Sequence, residues 1–253
     1  MASIVLFESS NHKNILLEES GAGDAAVQSN QHLIIHEKGG MVLDPGGHKV
    51  YAKVLSDTMA QLGGGKLDFV FLSHQDPDIV AAVNGWLMTT DATAFASNLW
   101  LRFIPHFGLD RLVVDRLKGV PDQGMVLDMR GLKLLVLPAH FLHSPGNFQV
   151  YDPISKILYS GDLGASINHG FNAVTDFDEH LPFMEGFHRR YMASNRTLRR
   201  WVQMVRTLDI ECIAPQHGAY FKGRAMVQRF INWCETLEVG VDLVDDLYRV
   251  PTT

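Results

Sequence analysis

The sequence predicts an α/β protein, a four-layer αββα sandwich with two sheets inside and helices on both outer faces. Two observations carry that expectation. β-rich blocks precede helical blocks twice along the chain, so each half supplies a sheet and then the helices to cover it. Four β-type runs, beginning at Leu67, Lys133, Ile157 and Ile210, also lead into loops holding His or Asp. Strand ends on one edge of a layered fold bring such loops together. Periodicity alone leaves the order of the layers open.

The first block contains β-rich runs at Ser3 to Phe7, Lys13 to Leu17, His32 to His36 and Gly40 to Leu43, separated by polar or Gly-containing turns. This reads as an antiparallel sheet. Asp44-Pro45-Gly46-Gly47 closes it. Val50, Val54, Leu55, Met59 and Leu62 then recur at helical spacing, and Gly63-Gly64-Gly65 ends that helix. Leu67 to Leu72 is a strand, Ile79 to Leu87 a helix beginning at Asp78, Thr93 to Ser97 a strand and Asn98 to His106 a helix. β character returns at Met125 to Met129, Lys133 to Leu137, Asn147 to Asp152 and Ile157 to Ser160. Leu181 to Leu208 is helical with an interruption near Met192 to Asn195. Ile210 to Ala214 is a strand and Arg224 to Glu238 a helix, while the acidic tail from Asp242 is too short to assign.

A chain of 253 residues with 46% hydrophobic content can bury a large core, and residues 1–253 read as one domain. The net charge is -6 with both signs interspersed, which leaves no footprint for nucleic acid or an anionic membrane. The N-terminus lacks a basic segment before a long apolar stretch, and no run of about 18 apolar residues occurs. The expected location is cytoplasmic. Cys212 and Cys234 lack CxxC spacing and are expected as buried thiols.

The stretch Ser73-His74-Gln75-Asp76-Pro77-Asp78 sets three metal-capable side chains at alternate positions beyond an apolar strand. Three further loops follow the same pattern. They are Ala139-His140-Phe141-Leu142-His143, Gly161-Asp162-Leu163-Gly164 and Gln216-His217-Gly218. The candidate ligands are therefore His74, Asp76, Asp78, His143, Asp162 and His217. Imidazoles and carboxylates without a thiolate form a hard, oxygen-rich set that suits iron or manganese better than a structural zinc. Of the twelve histidines, His12, His32, His36, His48, His106, His169, His180 and His188 have no such strand-end pairing and are expected in the core or at the surface. The Gly runs open no phosphate-binding loop and read as turns.

Taken in order, these motifs resemble the metallo-β-lactamase superfamily. The usual first motif there is H-x-H-x-D-H; here it is His74-Gln75-Asp76-Pro77-Asp78-Ile79, with Asp76 for the second His and Ile79 for the last. That departure resembles the flavodiiron branch, where a carboxylate takes the second position. His143 with Pro145, Gly161-Asp162, Gln216-His217-Gly218 and the Tyr-containing Arg190-Tyr191-Met192-Ala193-Ser194-Asn195 also fit that branch. The neighbouring Pro145 favours His143 over His140 as the ligand, leaving His140 as a hydrogen-bond partner or core residue. Tyr191 is expected to pack on its helix.

The resemblance implies two iron ions. One would be held by His74, Asp76, His143 and Asp162, the other by Asp78, Asp162 and His217, with Asp162 and an oxo or hydroxo group bridging. It also implies dioxygen as the ligand and a homodimer. Flavodiiron proteins carry a flavodoxin-like FMN domain after the metal domain, and no FMN module is encoded in these residues. The expectation is a stand-alone di-iron protein that binds dioxygen as a sensor or carrier, or that slowly reduces oxygen or nitric oxide with a separate redox partner; a signalling partner is the other possibility. The alternative is a dinuclear metal hydrolase, as in most of the superfamily. Asp76 and Ile79 count against it.

Overall fold

Along the central strands, alternate side chains go to opposite faces, and this period of two builds the layers. Strands β1 (Ser3–Glu8), β2 (His12–Leu17), β3 (Gln31–His36) and β4 (Gly39–Leu43) pair antiparallel in sequence order. Strands β5 (Lys66–Phe71), β6 (Thr93–Ser97) and β7 (Leu117–Val120) extend that sheet in parallel to seven strands. A six-stranded sheet follows, formed by β8 (Met125–Met129), β9 (Leu132–Pro138), β10 (Phe148–Asp152), β11 (Ile157–Gly161), β12 (Cys212–Pro215) and β13 (Phe221–Lys222). Its order is β13-β12-β11-β10-β9-β8, and only β11 and β12 run parallel. The computed structural model describes residues 3–17, 28–167, 170, 172–244 and 248–251; the turn region 18–27, His169 and tail positions 245–247 lie outside the described residues.

Leu16, Ile34, Leu43 and Phe71 of the first sheet meet Leu134, Val136, Phe148 and Val150 of the second in one buried cluster. Their neighbours Ile15, Leu33, Val42 and Val70 face the other way, under α1 (Tyr51–Leu62) and α3 (Val83–Thr89), where Val54 and Trp86 are buried. On the far side, Tyr151, Leu158 and Ile213 pack with Trp201 of α5 (Asn195–Val205) and Phe230 of α6 (Arg224–Thr236). Helix α4 (Phe177–Tyr191) completes that layer through Met184. The four-layer αββα sandwich is therefore the fold, with three apolar interfaces between its layers. Among the described residues, no helix is long and apolar enough to cross a membrane.

The expected antiparallel opening sheet, the strand after the Gly run and the interrupted helical stretch all form. Gly63 ends α1 in the left-handed conformation at φ 55°, which costs glycine no Cβ clash. The helix expected over Asn98 to His106 does not form. Its place is taken by turns and one 3-10 turn at Ile104–Phe107. Pro105 disfavours a continuing α-helix, and only Ile104 of that short turn is buried. The helix expected from Ile79 is two pieces, α2 (Pro77–Val80) and α3. Strands β7 and β13 and a 3-10 turn at Gly240–Leu243 add to the expected elements. Lys118 and Gly119 in β7, and the two-residue length of β13, left no alternating signal to read.

A polar seam crosses the otherwise apolar inter-sheet core. Asp152 of β10 accepts hydrogen bonds from His12 Nε2 at 2.7 Å and Asn14 Nδ2 at 2.8 Å, both on β2, and Asn14 also reaches Tyr159 at 2.8 Å. All four residues are buried. Burial alone would raise the Asp152 carboxyl; His12 and Asn14 override that and hold it below its ordinary value. Its stabilising contribution is complete above the ordinary carboxylate range near about 4 and is lost as pH falls through the lowered folded value. Asp152→Ala should therefore destabilise the fold by roughly 3 kcal/mol in urea titrations at neutral pH, and the difference from the parent should shrink as the titrations move into acid.

Candidate metal centre

The loop after β5 is shaped by Pro77. A residue before proline is driven to extended backbone, and Asp76 has φ -66° and ψ 147°. Pro77 then starts α2, and Asp78 lies in its first turn. The His74 and Asp76 side chains meet on one side of this loop, with Nε2 3.6 Å from Oδ2. Ile79, the next residue, is fully buried in the apolar layer between the first sheet and its helices. It belongs to the core and presents no ligand.

Three other strand ends meet this loop. After β9, the Ala139 N–H donates to the Asn147 carbonyl at 3.0 Å and the Asn147 side chain to the Leu142 carbonyl, which closes the loop that carries His143. After β11, Asp162 follows Gly161, whose φ is 57°. After β12, His217 precedes Gly218 at φ 73°, where a Cβ would sit 2.0 Å from Ser166 Oγ and 2.4 Å from the Ser166 carbonyl. Asn30 clamps this last loop from the first sheet, donating to the Pro215 carbonyl at 2.9 Å and the Gly218 carbonyl at 2.8 Å.

The donors of His74, Asp76, His143 and Asp162 all lie within 4.8 Å of one another. His143 Nε2 stands 3.1 Å from Asp162 Oδ2 and 3.5 Å from Asp76 Oδ2. His74 Nε2 is 3.6 Å from Asp76 Oδ2 and 3.7 Å from Asp162 Oδ2. The other oxygen of Asp162 faces the remaining pair: His217 Nε2 is 3.5 Å from Asp162 Oδ1 and 3.5 Å from Asp78 Oδ2. Donors at about 2.1 Å from a common cation sit roughly 3.0–3.4 Å apart, so both groups are near ligating spacing. Asp162 belongs to each.

Two features fit a cation pair. Asp162 Oδ1 is buried without a hydrogen-bond partner, a costly state for a carboxylate that a metal relieves. The Nε2 atoms of His74 and His143 also converge at 3.2 Å, a hydrogen-bond distance whose donor depends on the tautomer, and both nitrogens face the carboxylates of Asp76 and Asp162. Protons answer this charge in the metal-free chain. Burial opposes a charged His143, but Asp162 and Asp76 outweigh it and push its pKa up to about 10. Burial likewise disfavours the Asp162 anion, yet His74, His143 and His217 bring its carboxyl down to about 2. His143 and His74 lower Asp76 against burial, whereas burial dominates at Asp78 and raises it.

Surrounding groups orient the candidate ligands. His74 Nδ1 meets Ser73 Oγ at 2.9 Å, and His217 Nδ1 donates to the Gln28 carbonyl at 2.6 Å, which leaves its Nε2 free to ligate. Gln75 Nε2 donates to Asp76 at 2.9 Å and Gln216 Nε2 to Asp78 at 3.0 Å. The Ser73 N–H donates to buried Asp44 at 2.8 Å. The Gly164 N–H donates to His188 Nε2 at 2.8 Å, and His188 Nδ1 donates to the Met184 carbonyl at 2.7 Å. Burial lowers His188 to about 4, so it stays neutral and supports the loop of Asp162. Over the donors lies a cavity of about 370 Å³ lined by Asp76, Asp78, His143, Asp162 and His217 together with Pro77, Ala165, Ile167, Phe187 and Tyr191.

Residues 27–218 match the family described as ODP family beta lactamase. The chain belongs to this family. The ODP-family chain is 41% identical to a solved structure titled "Peroxy diiron species of chemotaxis sensor ODP", covering 98% of this chain and 100% of that one at a TM-score of 0.87. It is 40% identical to the apo state of the chemotaxis sensor ODP from T. denticola, covering 98% and 99% of the two chains at a TM-score of 0.85. The rubredoxin oxygen:oxidoreductase of Desulfovibrio gigas shares the fold at a TM-score of 0.72, with 14% identity over 88% of this chain and 59% of that one. An uncharacterized protein of Methanocaldococcus jannaschii is 20% identical over 90% of this chain, which spans 59% of that relative's length.

Every residue proposed from sequence lies at this one edge. His140 does not: its Nε2 donates to the Asp122 carbonyl at 2.7 Å and its ring packs edge-on against Phe148. Tyr191 does more than pack on its helix, for it is 56% exposed, stacks on Phe187 with centroids 4.7 Å apart and meets the His143 ring edge at 5.7 Å. Asp44, His188 and Gln216 were not foreseen as supports. The Asp44 turn carried a signal, an acid closing a strand before Pro-Gly-Gly; His188 carried none beyond an apolar helical face. Cys212 and Cys234 are buried free thiols, and burial pushes Cys212 up to about 12.

Metal counting after loading separates the roles. Asp162→Ala should lose both metals, His217→Ala about one per chain, and Gly218→Ala should follow His217→Ala because its Cβ displaces the loop.

Proposed function

We propose that this chain is a di-iron protein that captures dioxygen, acting as a sensor or carrier. One iron would be held by His74, Asp76, His143 and Asp162 and the other by Asp78, Asp162 and His217. The observation that carries the reading is the Asp162 carboxylate, which turns one oxygen to each donor group while Oδ1 lacks any hydrogen-bond partner. Its setting in an ODP-family chain, 41% identical to a sensor solved as a diiron species, supports iron and dioxygen as the natural occupants.

When bound, a pair of ferrous ions supplies the electrons and the Lewis acidity that dioxygen needs. The chain's own residues do the rest. Asp76, Asp78 and Asp162 would offset most of the charge of the pair, and His74, His143 and His217 would add neutral nitrogen donors. Ile167, Phe187 and Tyr191 line the cavity with apolar and aromatic surface that admits a small gas and sheds water. Gln75 and Gln216 hold Asp76 and Asp78 in place, so the donors need little rearrangement during capture. A separate signalling or redox protein, a cytoplasmic setting and a homodimer belong to the same proposal, the homodimer by resemblance alone.

Hydrolysis is the poorer reading. Asp76 replaces an imidazole, and Ile79 fills the position of the last ligand with core-packed hydrocarbon.

Anaerobic reconstitution with ferrous iron should give two irons per chain. Oxygen should then produce a visible absorption band that persists for minutes and is absent from Asp162→Ala. Loading with zinc accompanied by phosphodiesterase or esterase turnover, or a spectrum indifferent to oxygen, would sink the proposal.

A further inference from the structure

Residues 186–208 carry Arg189, Arg190, Arg196, Arg199, Arg200 and Arg206 and no acidic residue, in a chain of net charge -6. Two of these are neutralised within the fold: Arg189 pairs with Glu185 at 3.6 Å, and Arg206 grips Glu235 at 2.6 and 2.8 Å. On α5 the pattern differs. Arg196, Arg199 and Arg200 are exposed, and none of them makes an ion pair among the described residues. Arg200 donates to Gln203 at 3.2 Å, and Arg199 reaches Glu235 only through its field, since Arg206 holds that carboxylate.

Local electrostatics work against this arrangement. Arg196 repels Arg199 and Arg200 at the i+3 and i+4 positions. All three sit toward the N-terminal, positive end of the helix, whose first turn contains no acid. Asp242 approaches that end, but its Oδ2 accepts the Asn195 and Val239 N–H groups at 2.6 and 3.0 Å. Among the described residues the stripe thus lacks a counter-charge. Beside it lies a cleft of about 410 Å³ floored by Phe141, Leu142, Trp201 and Met204 and flanked by Arg196 and Arg200. Phe141 is 47% exposed there.

We propose that this face docks an acidic segment of a partner protein, with carboxylates on Arg196 and Arg200 and one aromatic or large aliphatic side chain in the cleft. Forked guanidiniums suit paired carboxylates, and an apolar pocket ringed by charge suits a single anchoring side chain. A nucleic acid fits less well. Three arginines on one helix neutralise few phosphates, and the rest of the chain repels an extended polyanion. The occupant would touch the loop that presents His143: the Ala193 N–H donates to the Phe141 carbonyl at 3.1 Å, two residues before the candidate ligand. Only that link to the metal rests on the proposed function; the docking itself does not.

Fluorescence anisotropy tests the docking with the full chain and a short labelled peptide of alternating acidic residues and phenylalanine. Binding should saturate, weaken as salt rises, and fall by roughly tenfold or more both in Arg196→Glu/Arg200→Glu and when serine replaces phenylalanine in the peptide. Arg102→Glu/Arg111→Glu, the same charge change at another exposed place, should bind like the parent. The proposal is overturned if the peptide fails to saturate, if both double variants bind alike, or if single-stranded DNA or phosphatidylserine vesicles bind through this face in preference to the peptide. Circular dichroism and metal content should be unchanged in all variants, so a lost interaction is read separately from a lost fold or a lost metal site.

Discussion

A buried carboxylate with donors on both sides is the constraint around which this molecule is arranged. Asp162 ends a strand of the second sheet, while His74, Asp76 and Asp78 come from the first and His143 and His217 from other strand ends of the second. None of these side chains is close to the others in sequence except within one hexapeptide. Their meeting depends on both sheets ending at one edge and on the sheets being held face to face. The apolar layer between the sheets provides most of that hold without direction. Directional contacts such as Asp152 with His12, or Asn30 with the Pro215 and Gly218 carbonyls, set the offset between them.

Charge balance links the site to the fold. Three buried or half-buried carboxylates near three imidazoles need positive charge beside them, and protons on His74 and His143, both raised against burial by the neighbouring carboxylates, supply part of it. Under the proposed reading two iron ions would satisfy this arrangement better than protons do, because an ion meets several donors at once whereas a proton bridges two. Metal binding and folding would then be thermodynamically linked through these side chains.

Much of this was legible in the residues, for reasons that differ by element. Continuous apolar runs such as Leu33 to Ile35 and Leu134 to Leu137 mark strands buried on both faces, and the metal-capable residues stand out because each loop that carries them follows a β-type run. Pro145 pointed to His143 rather than His140, and the His143 side chain does join the donor cluster, but the bond that turns His140 to the Asp122 carbonyl is a long-range contact that leaves no trace in spacing. The segment from Asn98 looked helical because its apolar residues recur at helical intervals; Pro105 and the lack of a surface to cover turned it into bends. His188 was invisible for a similar reason. Its work consists of one bond to a backbone N–H in another loop.

Ile79 bears on how such a protein changes over evolutionary time. The position that carries a final imidazole in related hydrolases is here occupied by hydrocarbon sealed against the first sheet. An imidazole placed there by one substitution would strand a polar ring inside hydrocarbon, so a ligand at this position also requires Val80, Val83 and Trp86, which share its apolar cluster, to repack.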